Sequence, residues 1–271
     1  MPLEINIVDA FTDQLFKGNS AAVIITEHWL TDELMQSIAS ENNLSETAFL
    51  VLDSAADTYE IRWFSPLTEI AFCGHATLAS AFVLFKNHPD LKTIHFSAKA
   101  IGIMTVVQTD TGKMQMDFPN TKPVECEEIP DSLLTGLSIA PAEVYKNAQA
   151  YFVIYNAESD VLNVTRDNDK LKQLAPLDVV VTCQSQSDAY SHYDFISRYF
   201  WPANGGDEDP VTGSIHTGLA PLWADLLGKN ELVAYQASKR GRVVYCEVAS
   251  DRVLISGNAV QYLTGFITLE E

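Results

Sequence analysis

Arg62-Trp63-Phe64-Ser65-Pro66, followed by Glu69 and then Gly74-His75, is met a second time as Arg198-Tyr199-Phe200-Trp201-Pro202, followed by Glu208 and then Gly213-Ser214. From Arg to Arg the offset is 198 − 62 = 136 residues and from Gly to Gly it is 213 − 74 = 139, so a short insertion around Gly205-Gly206 separates the copies. In both, the glycine lies five positions after the acid. A duplicated strand, loop and helix start predicts two related domains. The N-terminus of a helix offers unsatisfied N–H groups and the positive end of a dipole, so the two helix starts are expected to hold one small anion between them.

On the N-terminal side of the first copy, Leu3 to Val8 alternates as a strand, Lys17-Gly18-Asn19-Ser20 makes a turn, and Ala21 to Ile25 is a second strand. Thr31 reads as an N-cap, with Asp32 and Glu33 in the first turn and Leu34, Met35, Ile38 and Ala39 at helical spacing, which predicts a helix ending near Asn42-Asn43. Strands are predicted at Thr47 to Leu52 and Tyr59 to Phe64. After Cys73 the run Gly74 to Phe85 is small or apolar around its whole circumference, the mark of a helix inside a domain. Its counterpart, Ser214 to Leu227, stops at Gly228; Pro221 inside it either kinks the helix or splits it. Asp167 to Leu174 is a short helix candidate.

Composition narrows the function. The 271 residues are 47% apolar and 20% charged, and 36 acidic against 17 basic residues give a net charge of −19. Such a surface repels phosphate backbones and anionic lipid, so nucleic acid and membranes are excluded as expected partners and a small molecule is favoured. An anionic substrate would then need a locally positive site built from oriented backbone N–H groups. The four cysteines, Cys73, Cys126, Cys183 and Cys246, show no CxxC pair, and no basic segment with an apolar run opens the chain. The expectation is a soluble, cytoplasmic protein with reduced thiols.

Glu46 stands at a helix-to-strand crossing, where a loop can hold it inside a cleft. General-base work near neutral pH favours a carboxylate removed from water, and a surface glutamate is the plain alternative. His75 and Ser214 each follow the glycine of their copy; the alternatives are an interior histidine and an ordinary serine cap. Asp209 can orient a substrate or cap its helix, and Glu69 reads mainly as structural. His75, His216, Glu46 and Asp209 would be the candidates for a metal, but no HxxxH, HxH or HExxH pair supplies two ligands from one element, so no metal is expected. No GxGxxG or GxxxxGK[ST] occurs, so no nucleotide cofactor is expected either.

Taken together, Asp9-Ala10-Phe11-Thr12 with Gly18-Asn19, Ser45-Glu46-Thr47-Ala48-Phe49, Cys73-Gly74-His75-Ala76-Thr77-Leu78, Glu208-Asp209-Pro210-Val211-Thr212-Gly213-Ser214, and Gln236 with Arg240-Gly241 resemble the PhzF-like phenazine-biosynthesis family over essentially the full chain. The resemblance implies a diaminopimelate-epimerase-like α+β fold. It has two pseudo-symmetric domains, each a curved, mostly antiparallel sheet around a buried central helix, and an active site in the cleft between them. The corresponding boundaries are 1–117 plus 259–271 and 118–258. It also implies Glu46 as the single acid/base, with His75 and Asp209 assisting, Gly74, Gly213, Ser214, Asn19 and Cys73 lining the pocket, no cofactor, and a homodimer. Ser20 and Arg242 stand where the family commonly has proline and glycine. Related epimerases use two cysteines, whereas the second copy reads Asp209-Pro210-Val211, so the thiol pair is missing. The expected activity is therefore a cofactor-independent isomerisation that moves a proton within a small carboxylate-bearing substrate. A binding protein that keeps the cleft without turnover, and an amino-acid epimerase using Cys73, are the alternatives.

Overall fold

The alternating run at the start of the chain forms strand β1 (Leu3–Ala10) in the computed structural model, which describes residues 2–269. A turn leads to β2 (Asn19–Thr26), helix α1 (Asp32–Asn42), β3 (Glu46–Asp53), β4 (Thr58–Phe64), the two-residue β5 (Glu69–Ile70), helix α2 (Gly74–Asn87), β6 (Thr93–Ala98), β7 (Gly102–Gln108) and β8 (Met114–Pro119). Then come β9 (Val124–Glu125), α3 (Asp131–Gly136), β10 (Glu143–Lys146), β11 (Ala150–Ile154), α4 (Glu158–Asn163), α5 (Asn168–Leu171), β12 (Asp178–Gln184), β13 (Phe195–Phe200) and the two-residue β14 (Glu208–Asp209). Helix α6 (His216–Leu227), β15 (Glu231–Gln236), β16 (Val243–Ala249), β17 (Arg252–Gly257) and β18 (Ala259–Ile267) complete the chain. The fold is mixed α+β. It divides into a first unit, the described residues up to Asp117 with those from Ser256 on, and a second unit, Phe118–Ile255. The first crossing lies in β8 and the return in β17, so the return comes at 256, three residues before the position read from the sequence.

Within the first unit the paired strands run β18–β1–β2–β3–β4–β6–β7–β8, with β2/β3 and β4/β6 parallel and the other steps antiparallel. The two parallel steps are those bridged by α1 and α2, as a crossover helix requires. Helix α2 packs against β1, β2 and β3 and also against β7 and β18, strands from opposite ends of that order. The sheet therefore curves around it, and eleven of its fourteen residues, Gly74 to Ala81 with Val83, Leu84 and Phe85, are buried. Helix α1 closes the other face with Met35, Ile38 and Ala39 against Leu3, Ile5, Ala22, Ile24, Phe49 and Phe64. Its Thr31 cap accepts a bond from Leu34 N, and Asn43 ends it in the left-handed region. Gly18 has φ +67, and a Cβ there would lie 2.1 Å from Ala10 O, so only glycine allows the turn that delivers Asn19 to the start of β2.

The second unit repeats this order: β9–β10–β11–β12–β13–β15–β16, with β11/β12 and β13/β15 parallel. The sequence repeat has a physical core common to both. Phe64 faces Glu69 across β4 and β5, and Phe200 faces Glu208 across β13 and β14. Arg62 closes on Glu69 with Nε–Oε1 and Nη2–Oε2 both 2.7 Å, and Arg198 closes on Glu208 at 2.8 and 2.9 Å. Each guanidinium lies over the phenylalanine two residues on, 5.2 Å from Phe64 and 4.9 Å from Phe200. The charge-assisted fork pins the short strand that precedes the central helix.

One expectation for α6 is corrected, and one of the two alternatives at Pro221 is removed. It begins at His216, because Gly213, Ser214 and Ile215 form a tighter turn in which His216, Thr217 and Gly218 donate back three residues. Pro221 neither splits the helix nor leaves a carbonyl stranded: Thr217 O, which would have taken the missing N–H, accepts instead from Thr121 N at 3.1 Å. Helices α3 and α4 form in stretches where the sequence pattern predicts no helix.

The fork in the second unit is the more enclosed, its Arg198 side chain 13% exposed against 25% for Arg62, and Arg198 also donates to Val161 O within α4 and to Val164 O at its end. Arg198→Ala is expected to cost about 3 kcal/mol of stability and Arg62→Ala about 1 kcal/mol, read as the shift in urea unfolding of each variant.

Candidate active site

Three segments of the first unit meet at one imidazole. The turn at Gly18 starts β2 with Asn19, the crossing from α1 starts β3 with Glu46, and Cys73 and Gly74 open α2 immediately before His75. Asn19, Glu46, Cys73 and His75 are all buried, at 1%, 8%, 6% and 6% exposure. His75 Nε2 lies 3.0 Å from Glu46 Oε2. Its Nδ1 lies 3.2 Å from Asn19 Nδ2 and 3.4 Å from Cys73 Sγ, and Ser45 Oγ donates to Asn19 Oδ1 at 3.2 Å. Although Oε2 is close to the imidazole, it accepts no well-directed hydrogen bond, so the contact is one of charge more than of a shared proton.

Burial works to lower the pKa of His75, but the acidic groups beside it, Cys73 and Glu46, outweigh it and hold the imidazole well above its usual range. Burial, with the Glu46 charge, pushes the Cys73 thiol up to about 11. Of the two acidic neighbours, Glu46 lies directly against Nε2 and favours the charged form of the imidazole. With Nδ1 protonated, the Asn19 amide must present its oxygen to the ring; with Nδ1 bare, its nitrogen donates. The amide can follow either state.

Glu46, Cys73 and His75 place three possible ligand atoms within 4.8 Å of one another, so the spacing Cys73-x-His75 does supply two ligands from one element, contrary to the expectation from histidine spacing. To hold a metal, this set would have to release the protons of a thiol at about 11 and of a raised histidine, which opposes binding near neutral pH. Neither His216 nor Asp209 belongs to the cluster.

The second unit carries its own constellation. Asp209 lies in β14, half-buried, and accepts a hydrogen bond from Thr212 Oγ1. Gly213 is buried, and Ser214 Oγ accepts from Gln149 Nε2 at 3.0 Å. The same amide reaches Tyr199 O–H at 3.2 Å, whose hydroxyl donates to Asp178 Oδ2 at 2.6 Å. Gln149 and Asp178 escaped sequence reading because they sit on either side of the β11/β12 crossover, and only the pairing Asp178 N to Gln149 O brings them together. His216 is fully buried, donates from Nδ1 to Thr212 O at 2.7 Å, and is lowered by burial to about 4, so it is neutral.

Residues 8–265 match the model of the phenazine biosynthesis-like proteins, PhzC-PhzF. The chain belongs to that family. Within the phenazine biosynthesis-like family, an uncharacterized isomerase of Pseudomonas aeruginosa is 44% identical over 269 residues, 99% of this chain and all of the relative. A PhzF-family crystal structure from Enterococcus faecalis superposes with a TM-score of 0.92 at 40% identity, covering 99% of this chain and 100% of that one. A predicted epimerase of Pseudomonas aeruginosa, 18% identical with a TM-score of 0.75 over 99% of this chain and 100% of its own, shares the fold. Among the described residues no helix is long and apolar enough to cross a membrane.

Because His75 titrates above its unfolded value, its protonation adds stability that is full below about pH 6.5 and is lost as pH rises through the elevated folded value. The difference in unfolding free energy between the native protein and His75→Gln should therefore shrink with rising pH, and the ring-proton NMR titration of His75 should move to lower pH in Glu46→Gln.

Proposed function

We propose that the protein is a cofactor-independent isomerase that moves a proton within a small carboxylate-bearing substrate, with Glu46 as its single acid/base. The observation that carries this reading is the buried Glu46 carboxyl, 3.0 Å from the His75 imidazole and with Oε2 uncommitted to any directed hydrogen bond. Glu46 takes a proton from an activated carbon and returns it to another carbon of the same conjugated system, so no proton is gained or lost overall. As Glu46 takes the proton, the adjacent His75 ring faces the negative charge developing on the substrate and helps stabilise it. Asn19 holds the ring in register, and Gly74 lends the first N–H groups of α2. By the duplication, Asp209 with the Gly213-Ser214 turn supplies the second set of contacts, the turn for the substrate carboxylate and Asp209 for orientation and proton traffic.

The isomerases among the relatives support the reaction class. The thiol at about 11 favours the carboxyl over Cys73 as the base, and with it a proton shift over a two-thiol inversion. Incubating candidate carboxylates in D₂O should give deuterium uptake that falls by about 10²- to 10⁴-fold in Glu46→Gln and survives in Cys73→Ser. Uptake unchanged in Glu46→Gln sinks the assignment, and binding without any uptake supports a protein that binds without turnover.

A further inference from the structure

Gln236, at the end of β15, is fully buried and grips a loop 24 to 27 residues earlier in the chain. Its Oε1 accepts from Thr212 N at 2.9 Å, and its Nε2 donates to Asp209 O at 2.8 Å and to Thr212 Oγ1 at 3.3 Å. These partners fix which way the amide faces, since a backbone N–H can only donate and a backbone carbonyl can only accept. Once Nε2 donates into Thr212 Oγ1, the single hydroxyl proton of Thr212 is directed away from Gln236. It goes to Asp209 Oδ2.

Two further contacts hold the same loop. Ser238 Oγ donates to Pro210 O at 2.7 Å and accepts from Gly241 N at 2.9 Å. A side chain at Gly241 would meet Gln236 O at 2.1 Å, so the residue must be glycine for the β15–β16 turn to fold back on Gln236. From the other side His216 Nδ1 donates to Thr212 O at 2.7 Å, and a ring lowered to about 4 keeps that bond unchanged through the neutral range. The spaced residues Gln236 and Gly241 are thereby one device, whose object is the segment Asp209 to Thr212.

We propose that Thr212 and Gln236 form a positioning relay that commits one hydroxyl proton to the Asp209 carboxyl and so presents Asp209 as a carboxylate, an acceptor toward substrate. The inference rests on the reading of Asp209 as a site residue, but its test needs no substrate, so its failure is separate from failure of the isomerase assignment. The test is a ¹³C NMR titration of the Asp209 carboxyl in the whole protein, assigned by its loss in Asp209→Asn. Thr212→Val, which removes the hydroxyl and keeps the shape, should raise the midpoint by about half to one pH unit, and Thr212→Ser should restore it. Gln236→Met should raise it too, and should speed amide hydrogen exchange across 209–214 by about tenfold or more. An unmoved midpoint in Thr212→Val, or in a folded Gln236→Met, overturns the relay; where Gln236→Met fails to fold, the Thr212 pair of variants decides.

Discussion

A planar guanidinium closes with two parallel bonds on a carboxylate in each unit, and the architecture around each central helix depends on it. Strands β5 and β14 are only two residues long, too short to hold themselves by ladder bonds. Arg62 and Arg198 fasten them through Glu69 and Glu208, and the aromatic ring beneath each guanidinium keeps the fork flat against the sheet. The segments just beyond these strands, Cys73 to His75 in one unit and Thr212 to Ser214 in the other, inherit their position from that clamp. An acid placed before a glycine thus serves the loop, and Glu69 and Glu208 are occupied by their arginines.

Two histidines near the starts of α2 and α6 show how neighbours set the state of one residue type. Both are buried. His75 has a carboxyl 3.0 Å from one nitrogen and is held charged; His216 meets a backbone carbonyl and an aromatic ring and is held neutral. In a chain carrying a net charge of −19, a neighbouring carboxyl favours the charged form of one buried imidazole while a carbonyl and burial favour the neutral form of the other.

Much of this was legible in the sequence because the clamp has a fixed spacing: Arg, the aromatic two residues on, the acid, and a glycine five positions later. The Thr31 cap and the all-round apolar character of Gly74 to Phe85 marked α1 and α2 for the same reason, that local pattern and local structure share a period. The start of α6 was misread by two residues, since a tight turn and the first turn of an α-helix have the same composition. Gln149, Asp178 and the grip of Gln236 were invisible, because each acts through strand pairing between residues far apart in the chain. That Cys73, Glu46 and His75 form a possible ligand set was missed because a search for His pairs passes over a thiol.

Strand β1 has two neighbours, β2 next in the chain and β18 at its far end, with Leu3 opposite Ile267. As the polypeptide leaves the ribosome, the whole of Phe118–Ile255 emerges before the partner of the opening strand exists. The inner unit can therefore settle first, while the outer one keeps an unfinished sheet margin until β18 is made. Loss of β18 would leave that margin open for other chains to join.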